Sequence, residues 1–198
     1  MILLVRHGET EWNVVRRLQG RSDSPLTERG RRQVRAMGRL IRDLIAHDGG
    51  EGWRLISSPL GRTVATAEAI AAATGLAVEY DERVAEVNCG EWEGALFTDI
   101  LTGAGGTMSR GRIFEAPGGE TLADVQARIA SFLADLPPEP DRRVVLVSHG
   151  VTGRVLRGQY AGVPDEQAVE LDAPHDAVWR LADGQLDRFD CEPLNDLP

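Results

Sequence analysis

Short apolar runs bounded by glycine alternate along this chain with longer stretches in which apolar residues recur every three or four positions. Ile2-Leu3-Leu4-Val5 and Val144-Val145-Leu146-Val147 are unbroken, the pattern of strands buried on both faces of a parallel sheet. Trp53–Ser57 and Ala77–Tyr80 predict two more strands. Thr27 is a suitable N-cap for a helix running to about Ala46, with Val34, Met37, Ile41, Leu44 and Ile45 on one face and arginines on the other. An alanine-rich helix follows Arg62 and ends with Gly75 as its C′ residue. Thr121, with Asp124 three residues on, opens a helix to near Leu136 that Pro137, Pro138 and Pro140 break. Gly8–Leu26 reads as a loop with one helical turn around Asn13–Val15, and Val84–Gly94 has no clean period. Ala95–Leu101 predicts a short helix, and Thr152–Tyr160 a longer one. Late strands are expected near Ala168–Leu171, Ala177–Leu181 and Gln185–Phe189.

Strands alternating with helices predict an α/β three-layer sandwich: a mostly parallel central sheet, helices on both faces and an antiparallel edge strand. No linker or repeat divides the chain, so residues 1–191 are expected to form one domain and 192–198 a loosely ordered tail.

Composition narrows the classes of function. A net charge of −9 argues against nucleic-acid binding. The longest apolar runs are strand-length, so no membrane partner is expected. Met1 leads straight into a strand without a secretory h-region, and Cys89 and Cys191 are too few for a disulfide framework; both suggest a reducing cytoplasm. Within residues 1–64, however, 12 arginines face 7 acids, a local excess that suits an anionic ligand. Gly103-Ala104-Gly105-Gly106-Thr107 lacks the lysine and spacing of a nucleotide-binding loop and reads as a flexible loop or lid margin.

The candidate chemistry lies at two strand ends. The first apolar run leads into Arg6-His7-Gly8 and the fourth strand into Ser148-His149-Gly150. Ligands of open parallel sheets bind outside the carboxyl ends of strands, where glycine lets the backbone turn and a substrate come close. Arg62 lies beyond the end of the second strand. Two arginines and two histidines converging there suit a doubly charged tetrahedral anion, because guanidinium forks match phosphate oxygens. Helix N-termini after Ser58 and Gly150 would add N–H donors. Imidazole is also the side chain best able to attack phosphorus near neutrality. A metallohydrolase using His7, His149 and Glu86 is the competing chemistry, but two arginines would repel a divalent cation, so no metal is expected.

Leu4-Val5-Arg6-His7-Gly8-Glu9-Thr10, followed by Trp12-Asn13, resembles the N-terminal motif of the histidine phosphatase superfamily, phosphoglycerate mutase-like branch. The likeness continues in order through Gly20–Thr27, Ser57–Thr63, Glu86–Gly94, Pro117–Thr121 and Val147–Gly150. The resemblance implies that His7 is the nucleophile, becoming phosphohistidine, while Arg6, Arg62 and His149 bind the phosphoryl oxygens, His149 as a charged clamp. Asn13 would donate a further hydrogen bond, and Gln19, Gly20 and Thr10 would border the substrate. Glu86 would be the general acid and then the base, a role calling for a raised pKa. Glu91 and Glu93 are its rivals and are read as exposed loop carboxylates. Arg21 is placed to reach a second anionic group. His175 stands where relatives more often carry asparagine, and could alter the pocket wall.

The expected function is therefore metal-independent, cofactor-free hydrolysis of a small-molecule phosphomonoester. The alternative is a cofactor-dependent phosphoglycerate mutase using the same phosphohistidine. Mutases are usually longer, whereas only residues 95–118 separate Gly94 from Gly119 here. A non-catalytic binding module would be expected to have lost the nucleophile or an arginine. Homodimers are common among such proteins, and the residues themselves leave the assembly open.

Overall fold

The computed structural model describes residues 1–101 and 109–191; the glycine-rich stretch Gly103–Thr107 and the 192–198 tail lie outside them. Six strands, β1 (Ile2–Arg6), β2 (Arg54–Ser57), β3 (Val78–Tyr80), β4 (Val144–Ser148), β5 (Ala177–Ala182) and β6 (Gln185–Asp190), form one sheet in the order β3-β2-β4-β1-β5-β6. The first four are parallel; β5 runs antiparallel to β1, and β6 to β5. The two unbroken apolar runs are thus central neighbours, with Leu4 opposite Leu146 and Arg6 opposite Ser148.

The helices among the described residues are α1 (Glu11–Val14), α2 (Glu28–His47), α3 (Gly61–Thr74), α4 (Phe97–Leu101), α5 (Leu122–Ala134), α6 (Gly150–Ala161) and α7 (Asp165–Ala168). Alternate strand residues point to opposite faces. Leu3 and Val5 pack with Val34, Met37 and Ile41 of α2 and Ile70 of α3. Ile2 and Leu4 pack with Val125, Ile129 and Phe132 of α5 and Leu156 of α6. Both faces are apolar because both are covered, which is why β1 and β4 show no polar alternation. Each such side chain, fully buried, contributes about 1.5–3 kcal/mol.

Local signals set the helix ends. Thr27 Oγ1 accepts the Gly30 N–H at 2.9 Å, Gly75 closes α3 at φ 77°, and Thr121 with Asp124 forms a reciprocal capping box on α5. Gly8 lies against the start of α2: a Cβ on Gly8 would meet the Gly30 carbonyl oxygen at 2.6 Å, and one on Gly30 would meet the Glu9 carbonyl oxygen at 2.0 Å. The glycine behind His7 therefore serves backbone packing rather than close approach of a substrate.

Two expectations are corrected. Ala168–Leu171 is not a strand; Pro164 and the acidic residues Asp165 and Glu166 open the single turn α7 instead, and Ala168 packs where Gly158 has no side chain. The helix after β4 begins at Gly150, not Thr152, because His149 keeps extended backbone (φ −128°, ψ 179°) as its N-cap.

Candidate active site

The sheet order brings the ends of β1, β4 and β2 side by side. His7 continues the β1 ladder, its N–H donating to the Ser148 carbonyl at 3.1 Å, and its ring centroid lies 5.3 Å from that of His149. Both rings are buried. His7 Nδ1 is 2.8 Å from the Gly8 carbonyl oxygen, which can only accept, so Nδ1 carries the proton. Nε2 receives the Arg62 Nε–H at 3.3 Å. Burial, then Arg6 and Arg62, hold the ring far below its ordinary pKa, leaving a neutral imidazole with a lone pair on Nε2. His149 shares a 2.8 Å hydrogen bond with Ser58 Oγ through Nε2, and its Nδ1 is buried without a partner. Burial, then Arg62 and Arg6, hold its pKa well below the ordinary value as well, which opposes the charge that the sequence reading gives this ring.

Arg62 is almost fully committed. Its Nη1 donates to the Ser22 carbonyl at 2.7 Å and to Asp23 Oδ1 at 3.0 Å, and its Nη2 donates to the Gly20 carbonyl at 2.8 Å. Gly20 turns at φ 55°. Arg6 Nη1 donates to the Ala173 carbonyl at 2.7 Å, while Arg6 Nε is buried and unpartnered. Burial, then Arg154, lower the Arg6 pKa to about 10, so the guanidinium stays charged at neutrality. Gly150 leaves room for it, since a Cβ there would lie 3.3 Å from Arg6 Cζ.

Asn13 Oδ1 accepts the Thr10 backbone N–H at 3.0 Å and the Thr10 hydroxyl at 2.9 Å. Its amide nitrogen is thereby left for a ligand. Thr10 Oγ1 in turn accepts from Gln19 Nε2 at 2.9 Å, so Thr10 is a buried support for two cavity-lining residues.

Glu86 is buried, and its carboxylate accepts from Val87 N, Thr152 N, Thr152 Oγ1 and Val151 N at 3.0–3.2 Å. Burial alone would raise its pKa, but the Thr152 N–H, Arg62 and the two other backbone donors together hold it below the usual carboxylate value. The raised pKa expected for an acid is absent from the unliganded site, because the N-terminus of α6 solvates the anion.

A cavity of about 470 Å³ joins these groups. Its wall includes Arg6, His7, Asn13, Gln19, Gly20, Arg62 and Glu86; of the expected site residues, His149, packed against His7, and Thr10, behind Asn13 and Gln19, do not line it. His175 is in the wall too, with Nδ1 2.7 Å from the His7 carbonyl oxygen and its ring edge-on to His7 at 5.5 Å. Arg21 is not; it pairs with Glu82 and Glu120 at 3.4 and 3.5 Å. Glu93 is no exposed loop carboxylate: it accepts from Arg21 N, Ser22 N, Ser22 Oγ and Cys89 N, fastening the loop that carries Gly20. Glu91 is exposed. Cys89 and Cys191 are free thiols. Among the described residues, no three histidine, cysteine or carboxylate side chains converge as a metal site.

The outer wall was not anticipated. Arg16, Arg17, Arg110 and Arg154 line it, with Phe97 and Ile113. Arg154 was within reach of helix periodicity, one turn beyond Gly150 on the same face. Phe97 and Ile113 arrive through long-range packing with no local signature. Among the described residues, Arg6, Arg16, Arg17 and Arg154 have no carboxylate partner, and Glu86 is the cavity's single anion.

His175 is also held neutral, by burial and then Arg6, at a pKa of about 3. In the unfolded chain all three imidazoles would titrate near pH 6.5, about their free value. Below that pH the unfolded state binds more protons than the native state, so stability present above pH 6.5 is lost as the pH falls. Three rings together give a slope of about 4 kcal/mol per pH unit. Urea midpoints are expected to drop steeply between about pH 6.5 and 5; a flat profile there would show that the rings are charged in the native state.

A family model described as the histidine phosphatase superfamily, branch 1, matches residues 2–197. A probable phosphoglycerate mutase GpmB of Salmonella paratyphi B is 38% identical over 172 residues, 82% of this chain and 75% of that protein. A mycobacterial glucosyl-3-phosphoglycerate phosphatase, solved in complex with VO3, superposes with a TM-score of 0.74 at 30% identity, covering 96% of this chain and 99% of that one. YhfR of Bacillus stearothermophilus gives 0.74 at 27% identity, covering 94% and 93%. With paired strand-end histidines, two arginines at the same rim and a match along nearly its whole length, this chain belongs to the histidine phosphatase superfamily, branch 1.

Proposed function

We propose that the protein is a metal-independent phosphomonoesterase that hydrolyses a small phosphate ester through a phosphohistidine at His7. The observation that carries this reading is the state of His7: neutral, its proton fixed on Nδ1 by the Gly8 carbonyl, and its Nε2 lone pair at the cavity among arginines. The buried, unpartnered Arg6 Nε is a donor that a phosphoryl oxygen would satisfy, and so is His149 Nδ1 in the tautomer in which Ser58 Oγ donates to Nε2. Arg62 and the Asn13 amide complete the cradle. Nε2 attacks phosphorus, the P–O bond to the alcohol breaks, and Glu86 supplies the proton that the departing oxygen takes up. Water then attacks the phosphohistidine, Glu86 recovers a proton from it, and inorganic phosphate leaves. Glu86 must first be protonated; a dianionic phosphoryl group brought into this low-dielectric site opposes the carboxylate charge and raises its proton affinity. The unpaired Arg16, Arg17 and Arg154 favour an ester with negative charge beyond its phosphoryl group.

A phosphoglycerate mutase is the second reading, favoured by the name of the 38%-identical relatives. Purified protein is expected to release phosphate from p-nitrophenyl phosphate with EDTA present and no bisphosphoglycerate. Efficient isomerisation of 3-phosphoglycerate without such release would establish the mutase instead, and loss in EDTA reversed by zinc would establish a metalloenzyme. No helix among the described residues is long and apolar enough to cross a membrane.

A further inference from the structure

His175 has one nitrogen that the fold does not use. The His7 carbonyl it meets at 2.7 Å can only accept, so the His175 proton sits on Nδ1. Nε2 then bears a lone pair. It has no hydrogen-bond partner among the described residues, and it is not among the buried unpartnered atoms, so it keeps some accessible surface on a ring that lines the cavity. Charging it is opposed by what faces it: the Arg6 guanidinium, Arg29 from the start of α2, and the buried His7 ring beside it. The unpartnered Nε–H of Arg6, the guanidinium that acts on His175, suits an acceptor oxygen of a phosphoryl group. A fully ionised phosphoryl group offers acceptors only and would meet the Nε2 lone pair with repulsion. An acceptor at this place is served only by a ligand that brings its own hydrogen.

We propose that His175 is a specificity-determining residue whose Nε2 accepts a hydrogen bond from an O–H group of the bound phosphate ester. Two sources share this chemistry: a hydroxyl on the alcohol portion next to the ester oxygen, or the phosphoryl O–H of a monoanionic ester. The inference rests on the proposed function only in taking phosphate esters as the ligands. An asparagine amide at this position could still donate to the His7 carbonyl, but its side chain ends before the place of Nε2.

His175→Asn is therefore the informative variant, with His175→Ala as a second protein should the first not fold. Glycerol 1-phosphate and glycerol 2-phosphate are compared with propyl and isopropyl phosphate by kcat/KM, at about pH 5.5 and 7.5, on either side of the ester's second ionisation near pH 6. If the donor is an alcohol hydroxyl, the preference for the glycerol esters falls about tenfold in the variant at both pH values, the scale of one hydrogen bond. If the donor is the phosphoryl O–H, the variant's loss is common to all esters and about tenfold larger at the lower pH. The same fractional change for every ester at both pH values overturns the proposal and leaves His175 a support for the His7 backbone. The panel is repeated as Kd values on His7→Ala protein. Absence of turnover in the unmodified enzyme would count against the phosphatase reading, while the Kd ratios still decide on His175.

Discussion

Replacing His7 with alanine is expected to abolish phosphate release and the acid-labile, base-stable phosphoenzyme, a loss of about 10⁴-fold or more. Of the ring nitrogens beside it among the described residues, only His175 Nε2 is without a partner at the cavity, and it lacks the Arg62 contact that His7 Nε2 has. His149 Nε2 is held by Ser58 Oγ, and His175 Nδ1 is bound to the backbone of residue 7 itself. The truncation also leaves the Gly8 carbonyl and Arg62 Nε without their partner, at a cost of about 1–3 kcal/mol for each buried group so orphaned. Circular dichroism and a urea midpoint on the same preparation separate that cost from lost chemistry. Retention of a phosphoenzyme with the same acid lability in the variant would place the nucleophile elsewhere.

Glu86→Gln carries the second large effect, and it should depend on the leaving group. Alkyl phosphates need a proton on the departing oxygen, so their kcat/KM is expected to fall about 10²–10⁴-fold. Nitrophenyl phosphate leaves as a stable anion and should lose less than about tenfold. The amide disturbs the site in a way that applies equally to both substrates. Its oxygen can keep the three donors now on Oε1, but its nitrogen would face the Val151 N–H, a donor against a donor. Equal losses on the two ester classes would therefore assign Glu86 to holding the start of α6 rather than to proton transfer.

The strand ends could be located from sequence because the information is local. An unbroken apolar run of four residues can be buried only between two layers, and the residues immediately after it must lie at a sheet rim. His7 and His149 were legible for that reason, and Arg62 followed from the strand end before it. Their charge states were not legible. A histidine set to hold an anion looks like a cationic clamp on paper, whereas burial and the arginines beside it both oppose its charge. Glu86 went the other way: its role as an acid called for a raised pKa, while the three donors that α6 sends to it become visible only when that helix starts two residues early. Contacts to backbone are silent in the same manner. Nothing about Gly20 or Ser22 announces that their carbonyls hold Arg62, because every residue has a carbonyl. Ala168–Leu171 has the apolar content of a strand, yet Pro164 and two acids at the start of a turn override so short a preference.

The locking of Arg62 bears on when the work of catalysis is done. A free arginine side chain has about 2 kcal/mol of rotamer entropy to lose on gripping an anion. Here Gly20, Ser22 and Asp23 have already frozen it, and Glu93 in turn fastens the chain that presents those carbonyls. The ordering penalty falls on folding, so binding of the phosphoryl group has little of it left to meet. In the proposed reaction Asp23 and Glu93, neither of which lines the cavity, are thereby part of the affinity for the transition state, and drift at either position would surface as lost rate in a protein that still folds.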